Sequence, residues 1–98
     1  MWMIQKVAVD EAGHISSVQW QRVDTSTNSW VGMARVAPLI EVVDAVTIGR
    51  VGSVFPAPNG NTVQGPYVRT FVHGNSKEEI VADTANGETR SLLDLPRL

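Results

Sequence analysis

Two extended runs joined by a tight reversal open the chain, and they constrain what the rest of it has to do. Met3 to Val9 and His14 to Val23 flank the turn-forming tetrapeptide Asp10-Glu11-Ala12-Gly13, the pattern of a β-hairpin. A two-stranded ribbon is marginal in water and needs an apolar cover. The one good candidate for that cover is a helix opened by Pro38 and closed by Gly49. In the second run Val18 and Trp20 share a face with His14, Ser16 and Arg22, while Ile15, Ser17, Gln19, Gln21 and Val23 share the other, following the two-residue period of a strand. The Val18/Trp20 face is the one expected to be buried.

Val36, Leu39, Ile40, Val43 and Val46/Thr47 recur at the i, i+3, i+4, i+7 spacing of a helix with a single buried stripe, which leaves Glu41 and Asp44 off it. Pro38 suits the first helical turn, where its missing N–H costs nothing, and Gly49 suits the left-handed position after the last turn. The competing reading is a strand, because Val42, Val43, Val46, Thr47 and Ile48 are β-branched and lose side-chain freedom in a helix.

Between these elements, residues 24–29 form a continuous polar run whose short side chains bond their own backbone, which predicts a loop. Trp30 to Ala37 stays open between helix and strand, since Gly32 weakens both assignments. Arg50 to Phe55 reads as extended, followed by the dense turn signal of residues 56–61. Tyr67 to Val72 and Lys77 to Ala82 give two more strands around a turn at residues 73–76, and Asn86-Gly87 marks a further reversal. Ser91 to Pro96 predicts one capped helical turn that lays three leucines on the core. The expected architecture is a single α+β domain over residues 1–98. It has an antiparallel sheet of four or five strands, one helix packed on one face and a short C-terminal helical turn.

Composition narrows the function classes. A net charge of −2 and a pI near 5.5 provide no electrostatic footprint for duplex nucleic acid or an anionic membrane. The chain has no cysteine, which excludes a disulfide framework and thiolate chemistry, and its start lacks the basic and apolar regions of a secretory signal. A reducing cytoplasm is the expected location. No apolar run approaches the ~20 residues of a membrane-spanning helix. A domain of 98 residues buries a modest share of its surface and gains from pairing, so a homodimer is expected.

Val18 to Thr25, the later Trp30, the segment from Val36-Ala37-Pro38 to Gly49 and the closing Leu92 to Arg97 together resemble a small bacterial family, the domains of unknown function grouped under the number 3892, including a proteobacterial branch with an equivalent tryptophan strand. The resemblance covers nearly the whole chain, and its elements are structural. It implies a small α+β domain of the same layout and transfers no catalytic, cofactor or metal-binding residue.

No catalytic residue, metal site or cofactor is assigned from the residues themselves. His14 and His73 stand beside expected turns without a carboxylate at ligand-like spacing, and both read as solvated. Glu78 and Glu79 are adjacent on a strand, so they point to opposite faces and read as a solvated edge. Gly49-Arg50-Val51-Gly52-Ser53 echoes a phosphate loop but follows the helix instead of preceding one.

Tyr67, Arg69 and Phe71 alternate along one strand face, an arrangement that could stack single-stranded bases. The shortage of basic charge weighs against nucleic acid as the partner. Trp2, Trp20 and Trp30 are three of only six aromatic residues. Trp20 is expected to pack against the helix, and Trp2 and Trp30 to be partly exposed at a contact with a second subunit or a ligand. The candidate binding surface is therefore Trp2, Trp30, Tyr67, Arg69 and Phe71. The expected role is a non-catalytic interaction module for a protein or a small ligand, with single-stranded nucleic acid and an enzyme whose site assembles only in space as the alternatives.

Overall fold

The opening hairpin forms as its turn chemistry dictates. In the computed structural model, which describes residues 1–72, 77–83 and 90–98, strands β1 (Trp2–Val9) and β2 (Ile15–Asp24) pair antiparallel. Asp10 Oδ1 accepts the Ala12 and His14 N–H groups at 2.9 Å each, and Gly13 turns the chain at a φ of 84°. Two irregularities reset the alternation. Gln5 has no partner in the ladder between Ile4↔Trp20 and Lys6↔Gln19, and Ser16 has none between Ala8↔Ser17 and Val9↔Ile15. Each inserts an extra residue and re-aims its neighbours. As a result Ile4 and Val7 both reach the core, and Ile15 joins Val18 and Trp20 there instead of facing away from them.

The ambiguous stretch is strand β3 (Ser29–Pro38), paired with β2. Its register moves from Trp20↔Arg35 to Arg22↔Val31, so Gly32, Met33 and Ala34 bulge opposite Gln21 with Gly32 at a φ of 69°. Helix α1 (Leu39–Ile48) follows at once, settling the competition with a strand. Pro38 is the last residue of β3 and the helix cap, extended at ψ 160°, and Gly49 is also extended instead of left-handed. The chain runs straight from Gly49 into β4 (Val51–Pro56), so it has no need of a left-handed reversal there.

The sheet is mixed, which corrects the purely antiparallel expectation: β4 runs parallel to β1, with Trp2↔Val51, Met3↔Gly52 and Ile4↔Ser53 in register. The physical reason is α1 itself, since a helical crossover can return a chain to a strand of the same direction whereas a hairpin cannot. A short strand absent from the sequence reading, β5 (Thr62–Gln64), pairs antiparallel with β4, giving the order β3-β2-β1-β4-β5. Strands β6 (Val68–Val72) and β7 (Glu78–Ala82) form a separate antiparallel ribbon. The turn expected at residues 73–76 and the reversal at Asn86-Gly87 lie outside the described residues. Where β1 passes beyond β4, the C-terminal segment takes over as its neighbour, with Val7 N–H donating to Pro96 O and Leu98 N–H donating to Val7 O at 3.0 Å each.

One face of the sheet is sealed. Ile4, Val7, Val18, Trp20 and Val51 meet Val42 and Val43 of α1, Val68 and Ile80 of the ribbon, and Leu92 and Leu95 of the C-terminal turn. The helix stripe is Leu39, Val42, Val43 and Val46, so Ile40, expected inside, is 71% exposed, whereas Glu41 and Asp44 are exposed as expected. Ser91 caps the single 3-10 turn at Leu92–Asp94 through a reciprocal box with Asp94. That turn buries two of the three expected leucines, and Leu93 faces out. Among the described residues no helix is long and apolar enough to cross a membrane.

Candidate functional site

The opposite face of the sheet carries a cavity of about 420 Å³ to which all five strands contribute. Strand alternation places it there. Met3 of β1 points away from the core that Ile4 enters, and its β4 neighbour is Gly52, where a Cβ would stand 2.7 Å from Met3 Sδ. The glycine lets the thioether lie flat across β4. With Met1, Val23 and Val54 it forms an apolar floor.

The ends of the cavity are aromatic. Trp30, directly opposite Val23 in the β2–β3 ladder and 43% exposed, stands at one end, and Tyr67 at the other. The Arg50 guanidinium carbon lies 4.8 Å from the Tyr67 ring centroid and holds the ring by a cation–π contact. Between them the rim consists of Thr25 and Asn28 from the β2–β3 loop and Thr62 and Gln64 from β5. Among the described residues no Lys, Arg, His, Asp or Glu side chain lines the space, and Tyr67 is its one ionisable side chain. Asp24, at the foot of that loop, has its carboxyl held below the usual range by the Ser26 hydroxyl and N–H, which donate to Oδ1 at 2.7 and 2.9 Å.

Two groups of neutral polar side chains share this side of the sheet. Three glutamines are engaged with one another: Gln19 Nε2 donates to Gln5 Oε1 at 2.9 Å, Gln5 Nε2 to Gln21 Oε1 at 3.2 Å, and Gln21 Nε2 to the bulged Gly32 carbonyl at 2.8 Å. The four rim residues behave differently. Among the described residues the side chains of Thr25, Asn28, Thr62 and Gln64 make no hydrogen bond within the chain, so their donors and acceptors are available to a ligand.

The five residues of the expected binding surface divide into three places. Trp30 and Tyr67 share the cavity. Trp2 lies on the sealed side, its ring stacked on Trp20 at 4.5 Å between centroids, with Arg22 and Arg35 at 5.0 and 5.2 Å from it. Arg69 and Phe71 are exposed on β6, and Tyr67 falls just before that strand. Trp30 and Tyr67 are the two cavity residues the sequence singled out as a binding surface; Met1, Met3, Val23, Val54 and the polar rim of Thr25, Asn28, Thr62 and Gln64 were not. Alternation alone separates Met3 from Ile4, but only the β1–β4 pairing brings Val54 beside it.

A smaller cleft of about 150 Å³ lies between the hairpin turn, β7 and the C-terminal turn. There His14 Nδ1 is 3.0 Å from Glu79 Oε1, which corrects the readings of His14 as a solvated turn residue and of Glu79 as part of a solvated strand edge. The two are far apart in the chain and meet only because the ribbon folds against the hairpin. Ser91 also lines this cleft, with its hydroxyl oxygen accepting the Leu93 N–H as a cap. Among the described residues no three histidine or carboxylate side chains converge on a metal-sized site. The Gly49–Ser53 echo runs from the helix cap into β4, where Ser53 is fully buried and donates its hydroxyl to Pro66 O at 2.7 Å.

Compared with family models, with curated proteins and with solved structures, the chain matches none of them.

Proposed function

We propose that the protein is a non-catalytic binding domain whose ligand is a small uncharged molecule held in the cavity on the open sheet face. The observation that carries this reading is the make-up of the site, with an apolar floor, an aromatic residue at each end and a neutral rim of unengaged hydrogen-bonding groups. Sites for small molecules are typically concave and apolar with a few placed polar groups, in volumes of roughly 300–1,000 Å³. Acid–base chemistry near neutral pH falls most often to histidine, carboxylate or lysine side chains, and among the described residues none of these lines the cavity, whose one titratable side chain is the Tyr67 phenol. That supports binding over catalysis.

A cytoplasmic setting belongs to the same reading and rests on the cysteine-free composition. Membership in the bacterial family grouped under the number 3892 is likewise a proposal, carried by Val18 to Thr25, Trp30, the segment from Val36-Ala37-Pro38 to Gly49 and the closing Leu92 to Arg97. Self-association is supported by the small size of the chain and by the exposed apolar residues of the edge strand β3, Val31, Met33 and Val36.

Thermal unfolding tests the cavity. A ligand that binds only the folded state raises the midpoint by mass action. In a screen of uncharged small molecules, some should raise the midpoint of the parent protein and leave Trp30→Ala unmoved. A screen in which none stabilises the parent, or in which the active compounds stabilise Trp30→Ala equally, rules the reading out.

A further inference from the structure

We infer that the ligand of this cavity is an uncharged saccharide, with Trp30 as its stacking surface and Asn28 and Gln64 as the amides that bond its hydroxyl groups. The inference rests on the binding role proposed above and narrows it to one chemical class. A sugar ring has a C–H-rich face that packs on a flat aromatic side chain, and a girdle of hydroxyls that are each donor and acceptor. Recognition therefore draws on exposed aromatic area beside groups that donate to or accept from hydroxyls, and neutral amides and hydroxyls can do both without adding charge.

Trp30 supplies the aromatic area, since 43% of it is exposed. Asn28 adjoins it at the tip of the β2–β3 loop, held at a φ of 57°. Gln64 lies across the cavity on β5, and its backbone is fixed by the ladder to Val54. Its carbonyl also accepts Arg90 Nη2 at 3.3 Å, so the amide projects from a tethered strand.

Other ligand classes fit less well. A nucleotide, a phosphorylated metabolite or a fatty acid carries negative charge that a desolvated site has to neutralise; among the described residues no lysine, arginine or histidine lines this one, and the Met1 ammonium beside it already donates to the Val23 carbonyl at 3.1 Å. An extended peptide binds best along a strand edge, through its backbone, whereas the floor here is the face of the sheet. A wholly apolar ligand would leave the four rim side chains facing it without partners, a loss for each polar group desolvated.

The experiment is a glycan array carrying neutral, sialylated, sulfated and phosphorylated saccharides, followed by titration calorimetry with the best neutral ligand. The expected result is retention of neutral glycans alone, with affinity falling about tenfold or more in Trp30→Ala and in the double variant Asn28→Ala/Gln64→Ala. Met33→Ala, on the same strand and 87% exposed outside the cavity, should bind as the parent does. The double variant carries the test if Trp30→Ala proves unfolded by circular dichroism.

Preference for charged glycans, absence of any neutral glycan bound at micromolar protein, or parental affinity in folded cavity variants overturns the inference. If the array is blank while other uncharged compounds still stabilise the parent through Trp30, the saccharide assignment fails and the binding role stands. If both experiments are blank, both fail.

Discussion

Trp20 shows how a residue's own chemistry can yield to its surroundings. A tryptophan is expected to bury its ring only with a partner for the indole N–H, yet Trp20 is 2% exposed and its Nε1 has no hydrogen-bond acceptor among the described residues. Packing outweighs the missing bond: the ring stacks on Trp2 with 19° between planes and lies in the main hydrophobic cluster. Trp20→Ala should lower the unfolding free energy by about 3–5 kcal/mol in urea titrations.

The glycines provide a graded test at the same scale. A Cβ at Gly65 would lie 2.4 Å from Phe55 Cε1, one at Gly52 would press on the flexible Met3 thioether at 2.7 Å and touch Met1 Cε at 3.9 Å, and one at Gly49 would meet nothing within 4 Å. Gly65→Ala should therefore destabilise most, by about 1–3 kcal/mol, with Gly52→Ala milder and Gly49→Ala near neutral in the same titrations. These distances depend on partners distant in sequence, so nothing in the chain itself announced them.

Asp10 contributes a sign that can be checked. Its carboxyl is held below the usual value chiefly by the His14 N–H it accepts, and Asp24 is lowered by Ser26. A folded-state pKa below the unfolded one stabilises the fold above the unfolded value and is lost as pH falls through the folded one. Thermal midpoints should therefore decline below about pH 4, near the ordinary aspartate value. The double variant Asp10→Asn/Asp24→Asn should flatten that acid limb and leave the neutral-pH slope alone. An unchanged acid limb would contradict the assignment.

At the level of elements, helix α1 was legible in extent and not in rotation. Pro38 and Gly49 bracket it correctly because one cannot continue a ladder and the other readily leaves a helix. The rolling angle was ambiguous because apolar residues cover most of the helix: Val36-Leu39-Ile40-Val43 and Leu39-Val42-Val43-Val46 are both valid stripes. The docked ribbon and sheet select the second. Val42→Ala should cost about 1–3 kcal/mol, and Ile40→Ala should stay within about 0.5 kcal/mol of the parent. The reverse order would place the helix on its other side.

The strands repeat the lesson. The turn chemistry of Asp10 to Gly13 makes the hairpin readable, while the extra residues Gln5 and Ser16 move Val7 and Ile15 inward against simple alternation. β5 is three residues of mixed polarity, too short to carry a period. Its identity as a strand comes from β4.

For the whole molecule, the parallel β1–β4 pairing is the decisive step that sequence could not supply. It puts Val54 beside Met3 and carries β5 round to face the β2–β3 loop, so one face of the sheet is closed by α1 and the ribbon while the other holds the cavity. The aromatic residues of that cavity, Trp30 and Tyr67, were visible beforehand as unusual residues in a chain with few aromatics. Their convergence was not, because it needs all five strands. The same division separates stability from binding: substitutions at Trp20 or Val42 act on the sealed face, and those at Trp30 or Gln64 on the open one.

The most direct test of that division is an amide and methyl NMR titration of the isotope-labelled protein with an uncharged ligand that stabilises it. Shifts confined to Met3, Val23, Trp30, Val54 and Gln64, with Val42, Val43 and Ile80 unmoved, are the predicted result. Shifts centred on the helix and ribbon residues, with the open-face set silent, would contradict it.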